Sequence, residues 1–398
     1  MAGTESPSPL NDQRGLLVEA TLPSSSPRPR IVAIDVMRGG VMALMLIVDV
    51  CGKVMPSIGH AKWNGFHLAD IVMPGFIFVV GASIGVASSP PSSSRVVSRF
   101  FKLFALGVLI QGRWIPQIGT LTVGLDLYTV RILGILQRIA ICYVSGIGLQ
   151  KLVLPVPEGN TVAIVCKRYR RVFSLGCLSV VVNWLLMLIG PQPDGCPRGS
   201  LTPECNTASY IDRLILGDEH MYNPIYDPEG ILSTLPTVAT VVLGMACGSL
   251  IKSQPSHHEL LWLILYGALL SVAGTSLGLV VPINKALWTP SYSLITAGIC
   301  IASVGLLALG VADRAMMGPL KWLGMNAILF FCLSDCSGLF SCLLGSVYWA
   351  DPQTGNFLYV LSKGYTLPAV MLIYTILELA LWILICRWLF NKRIFITI

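Results

Sequence analysis

About ten apolar runs, most of them close to 20 residues long, recur along this chain. At about 1.5 Å of rise per residue, a helix of that length matches the ~30 Å hydrocarbon core of a bilayer. Only helices and closed barrels satisfy all of their backbone polar groups in that medium, and continuous runs of this length are helical. The runs lie at about 32–52, 68–88, 96–115, 131–154, 172–190, 230–251, 260–282, 287–311, 320–345 and 366–390. Composition agrees: 12% of residues are charged, where a soluble domain carries roughly 25%, and the mean hydropathy is +0.73. The expected fold is therefore all-α, a polytopic bundle of about ten transmembrane helices whose first partner is the lipid bilayer. The formal charge of +7 gives no reason to expect nucleic acid, because the basic residues sit in short connectors and at the termini.

Their placement sets an orientation. With the N-terminus in the cytosol, the cytosolic pieces hold most of the Lys and Arg, including Arg95, Arg99, Lys102, Lys167, Arg168, Arg170, Arg171, Lys392 and Arg393. The opposite face holds few: Lys53, Lys62, Arg113, Arg198, Arg213, Lys285 and Lys363. This asymmetry predicts both termini in the cytosol, and a long loop at about 191–229 on the luminal side. Residues 1–30 are rich in Ser and Pro and read as a disordered cytosolic tail without a cleavable signal, with the membrane domain following over 31–398. Cys196 and Cys205 lie nine apart in the long loop and could pair there. No His/Cys cluster suggests a metal.

Charged groups inside membrane runs are costly and mark function or pairing. The first run carries Asp35, Arg38 and Asp49. Asp35 and Arg38 are three apart on one helical face, which suits either a local ion pair or an anionic ligand on Arg38. Asp49 is either a solvated helix end or a carboxylate near the next connector. That connector holds Gly59–Gly65, where His60 sits at the membrane surface with an imidazole that titrates near neutral pH. Asp70 opens the second run, where it complements a helix dipole or serves the histidine. The fourth run buries Gln137 and Arg138; the arginine needs a carboxylate such as Asp70 or Glu229, backbone carbonyls, or an anionic ligand such as phosphate. His67, His220, His257 and His258 are weaker candidates.

Several blocks together resemble a family. Ile34-Asp35-Val36-Met37-Arg38-Gly39, His60-Ala61-Lys62-Trp63-Asn64-Gly65 with Ala69-Asp70, and Gly134-Ile135-Leu136-Gln137-Arg138 follow one another in its order. So do Tyr226-Asp227-Pro228-Glu229-Gly230, Pro282-Ile283-Asn284-Lys285, Ser291-Tyr292 and Gly324-Met325-Asn326. These are similar to heparan-α-glucosaminide N-acetyltransferase and its plant and bacterial relatives, with the plant-type branch the better match. One departure is Asp49, where the animal enzyme has Asn.

The resemblance implies an acetyl-CoA-dependent N-acetyltransferase. It would move acetyl from cytosolic acetyl-CoA, its co-substrate, to an amino-sugar-like or glycan acceptor on the luminal side, with no metal. His60 would be base or nucleophile, oriented by Asp49, Asn64 or Asp70. Arg38, Gln137 and Arg138 would contact the donor, and Asn284 and Asn326 would donate to the carbonyl oxygen as charge develops. A vacuolar or lysosomal membrane is expected, the plasma membrane being the other option, and a homodimer is compatible with the sequence. The alternatives are an O-acyltransferase of glycans and a secondary transporter.

Overall fold

The computed structural model describes residues 18–19, 30–87, 89–111, 127–155, 159–310, 314–336 and 367–396. Almost all of the regular structure among the described residues is helical, and the strand pairing of Val18–Glu19 with Arg30–Ile31 is two residues long. Most of the proposed tail, Arg113, Lys363 and parts of the third and ninth runs lie outside the described residues.

A helix stands on each expected run. These are α1 (Val32–Cys51), α2 (Val72–Val86), α3 (Ser93–Gln111), α4 (Ile135–Gln150) and α5 (Val162–Ile189). There follow α6 (Thr207–Leu216), α7 (Ile231–Thr234), α8 (Thr237–Lys252), α9 (His257–Leu277) and α10 (Pro290–Leu309). Last come α11 (Arg314–Met325), α12 (Ala327–Cys336) and α13 (Pro368–Asn391). Six spans among the described residues are long and apolar enough to cross a membrane, and a seventh if the α11–α12 pair, bent by 81°, counts as one. The 20-residue α1 is set apart from those by Asp35, Arg38 and Asp49.

Two elements differ from the sequence expectation. Helix α5 starts about ten residues earlier than its apolar run. Thr161 caps it by accepting from the Ile164 N–H, so the basic stretch 167–171, read as connector, is its first turns. The ninth run is not one helix: α11 starts before it, at Arg314, with Pro319 inside, and the run breaks at Asn326.

Glycines set the tightest contacts. A methyl at Gly81 would overlap the Val241 carbonyl, at Gly85 the Met245 carbonyl, at Gly244 the Phe78 carbonyl and at Gly248 the Ala82 carbonyl. So α2 and α8 interlock through two small-xxx-small pairs that face each other, the arrangement that lets membrane helices approach closely. Likewise a Cβ at Gly39 or Gly324 would strike the backbone of the other helix, seating α11 on α1. Around these contacts α1, α2, α4, α8 and α10 bury a common core including Phe78, Met245 and Tyr292. By contrast α5, α9 and α13 present apolar side chains such as Val181, Val272 and Ile376 outward, as lipid-facing helices do.

Helices α1 and α2 run antiparallel, joined by the connector 52–67. One end of the pair therefore carries Asp49, His60 and Asp70, and the other carries Asp35, Arg38 and Ser83.

Candidate active site

The connector folds back on itself because two of its glycines, Gly52 and Gly59, pack backbone to backbone. This brings His60 against the short 3-10 turn Leu68–Ile71 that precedes α2. The His60 Nδ1 lies 2.9 Å from Asp70 Oδ1. A carboxylate can only accept, so the ring proton sits on Nδ1 and Nε2 carries the lone pair. Asp70 Oδ2 accepts from the His67 N–H at 2.9 Å and the Ala61 N–H at 3.3 Å. Thus the Asp70 side chain, 1% exposed, holds the connector on both sides of an imidazole that is 50% exposed. Behind it, the Tyr292 hydroxyl of α10 donates to the Asp70 carbonyl at 2.7 Å.

A second connector, between α9 and α10, closes the site. The Gly65 N–H donates to the Ile283 carbonyl at 2.8 Å, with Gly65 at φ 128°, a conformation that glycine adopts without strain. Asn284 Nδ2 donates to Asn64 Oδ1 at 3.1 Å, and Asn284 Oδ1 accepts from the Leu287 N–H at 2.9 Å. This clamp presents Lys285, whose Nζ lies 3.2 Å from Nδ1 and 3.4 Å from Nε2 of His60. Burial pulls the Lys285 ammonium below its ordinary value, with Arg138 adding to the effect and Glu229 and Asp70 opposing it.

The long loop forms the remaining wall. Cys196 and Cys205 form a disulfide, and Leu201 inside that loop accepts from Trp63 Nε1 at 2.8 Å. Trp63 also meets Tyr226 edge to face at 4.8 Å. Arg131 bridges Asp227 and Glu229. Burial alone would raise Glu229, but Arg131, Lys285 and Arg138 outweigh it and hold its carboxyl below the ordinary value. Arg138, 1% exposed, donates to the Thr234 hydroxyl at 3.2 Å, the Gly230 carbonyl at 3.3 Å and the Ser233 hydroxyl, with its guanidinium 5.3 Å from the Trp288 ring centroid.

The expected site residues therefore divide. His60, Asp70, Asn64, Asn284 and Arg138 gather at one end. Among the three groups expected to orient the imidazole, Asp70 makes the contact. Asn64 is turned to Asn284, and Asp49, exposed at the end of α1, acts on the site through its charge on Lys285. Asn284 is committed to Asn64 and Leu287, which leaves it poorly placed to serve a developing oxyanion. Gln137 is fully buried and accepts from Gln111 Nε2 at 3.4 Å.

Arg38 belongs to the opposite end. It donates to Asp35 Oδ1 at 2.8 Å, Ser83 Oγ at 2.9 Å and the Gly324 carbonyl at 3.2 Å. Ser83 is thirteen residues beyond Asp70, along the 3-10 turn and α2 that continues it, roughly 20 Å at about 1.5 Å per residue. The two arginines expected to share one ligand are thus not brought together. Asn326 sits near Arg38, at the α11–α12 break; its Oδ1 accepts from the Ile396 N–H at 3.1 Å, and its Nδ2 is buried with no partner among the described residues.

Lys285, Tyr292, Asp227 and the Arg131 bridge had no assigned role in the sequence reading. Lys285 carries one available signal: a cation in a very short connector on a face where Lys and Arg are rare.

Fold and site together define a multi-pass helical membrane protein with a histidine–carboxylate pair at one end of its bundle. Residues 30–190 match the family model for heparan-alpha-glucosaminide N-acetyltransferase, catalytic. Heparan-alpha-glucosaminide N-acetyltransferase of Mus musculus is 29% identical over 417 residues, covering 92% of this chain and 60% of the relative. The Homo sapiens protein of the same name is 30% identical over 376 residues, covering 82% of this chain and 56% of the relative. The chain spans under two thirds of the length of these relatives. Over most of its own length it is similar to these heparan-alpha-glucosaminide N-acetyltransferases.

Proposed function

We propose that the chain is a transmembrane acetyltransferase that takes acetyl from cytosolic acetyl-CoA and delivers it to an amino-sugar-like acceptor on the luminal side. The observation that carries this reading is the half-exposed imidazole of His60 with its Nδ1 held by the buried Asp70 carboxylate. That arrangement leaves the Nε2 lone pair, with Lys285 Nζ 3.4 Å away, to act at the surface as a base or nucleophile, and a protonated amine acceptor needs such a base before it can attack. Asp70 would stabilise the imidazolium that forms.

The names of the relatives supply the acetyl chemistry, and the excess of Lys and Arg on one face supports both termini being cytosolic, with about ten spans and with the His60 end luminal. Arg38 and Asn326, at the other end, are then the donor-side contacts. Arg138, Ser233 and Thr234 belong to the acceptor side. A vacuolar or lysosomal membrane fits this orientation, because an acidic lumen raises the need for a base.

The decisive experiment is transfer of labelled acetyl from acetyl-CoA to a panel of amino sugars by purified protein. Wild type is expected to label at least one, and His60→Ala to fall by about 10²–10⁴-fold while still folding. An active His60→Ala protein would sink the reading. The 81° break between α11 and α12 supports a second reading, a transporter with a broken helix. Failure of saturating acetyl-CoA to raise the thermal stability of the protein would favour it.

A further inference from the structure

Lys285 is the one primary amine within hydrogen-bond distance of the His60 ring among the described residues. It is no ordinary surface lysine. Its backbone is fixed before it by Ile283 accepting from Gly65 and by the Asn284–Asn64 amide pair, and at its own carbonyl, which accepts from the Trp288 N–H at 3.1 Å. Its Nζ reaches both imidazole nitrogens, and the side chain is half-buried between the two connectors.

We infer that Lys285 is itself an acetyl acceptor, a self-modification site that the centre acetylates when no amine substrate occupies it. The inference rests on the acetyl-transfer reading above. Any acetyl group positioned for attack with the help of His60 Nε2 is also presented to the Lys285 amine. Reacting groups held near ~3–3.5 Å gain a large advantage over bimolecular encounter. The step balances without another reagent. The neutral ε-amine attacks the acetyl carbonyl, a C–N bond forms and the C–S bond breaks. The thiol departs as thiolate, and the proton lost by nitrogen passes through His60 to the sulfur. The depressed basicity of Lys285, caused by burial and by Arg138, increases the neutral fraction available.

The product would be an amide without the cation that faces Glu229 and Asp70, and without the ammonium donor to His60. Acetylation is therefore expected to silence the centre. Lys62, exposed and two residues from His60 in sequence, provides an internal measure of non-enzymatic acetylation.

The test uses the full chain in detergent micelles, carbon-13 acetyl-CoA and no acceptor, followed by peptide mass spectrometry. Lys285 is expected to carry hydroxylamine-stable label at about tenfold or more the occupancy of Lys62, in keeping with the proximity advantage. His60→Ala is expected to reduce it to the Lys62 level, and added glucosamine to compete with it. If glucosamine is acetylated while Lys285 labels no more than Lys62, this inference fails and the transferase reading stands. If neither is acetylated, both fail.

Discussion

The Tyr292 hydroxyl donates to the backbone carbonyl of Asp70 at 2.7 Å across 222 positions of sequence. That bond ties α10 to the turn whose carboxylate holds His60. Tyr292→Phe keeps the ring against Trp288 and Phe66 but strands a buried carbonyl. It is expected to lower stability by about 1–3 kcal/mol, with a modest loss of turnover, as thermal unfolding and initial rates will show. An unchanged unfolding midpoint would mean that the bond holds nothing.

Asp70→Asn is expected to be worse for function than for folding. An amide offers a single acceptor where the carboxylate serves the His60 ring and the His67 and Ala61 N–H groups. One of those donors must then face an NH₂. The rate constant for transfer is expected to fall by about 10²-fold or more while size-exclusion profiles stay monodisperse. A fully active Asp70→Asn protein would remove the carboxylate from the mechanism.

Reducing the Cys196–Cys205 disulfide, or replacing Cys205→Ser, frees the loop in which Leu201 receives Trp63. Stability is expected to drop by about 2–4 kcal/mol, the usual effect of opening a short disulfide loop. Activity should fall with it, because Trp63 lies in the His60 connector. Activity that is indifferent to reductant would show that the loop does not brace the site.

Asp212, buried in α6, has its pKa pushed up to about 7 by burial, with Asp227 adding, and with the Ile231 N–H and Arg138 opposing. Its ordinary value is 3.8. Between about pH 4 and 7 the folded chain therefore holds a proton that the unfolded chain has released, so this group's contribution to stability falls as pH rises through that window. Asp212→Asn, which keeps an oxygen for the Ile231 N–H, is expected to flatten this dependence. Unfolding midpoints at pH 5 and 7.5 that shift in parallel for both proteins would contradict it.

Substituting Gly81→Leu or Gly244→Leu drives a side chain into a facing carbonyl. The cost is expected at or beyond the upper end of the ~1–3 kcal/mol typical of overpacking, read as loss of a monodisperse peak. A well-folded leucine variant would show that α2 and α8 can separate.

The helices were legible because a bilayer demands long apolar runs, and this demand is local in sequence. The capping by Thr161 and the break at Asn326 were not, because basic residues on a helix face look like a connector and a bent helix looks like one long run. At the site, His60 and Asp70 were readable as candidates: a titrating group on a short connector and a carboxylate ten positions on. The clamp of Asn284 on Asn64 and the Lys285 contact join segments some 220 residues apart, and no periodicity encodes such a pairing. Arg38 and Arg138 looked alike as buried guanidinium groups. Only their contacts, Ser83 and Gly324 for Arg38 and Gly230 and Thr234 for Arg138, show that they serve opposite ends.

The interlocked glycines of α2 and α8 have a mechanical meaning. A slide of one residue along that seam would force new atoms into the facing carbonyls, so the pair can tilt or turn only as one strut. Asp70 stands at the head of that strut and Ser83, with Arg38 on it, near its foot. The strut is thus a ruler of roughly 20 Å, and a donor that touches both marks must be matched to it in length.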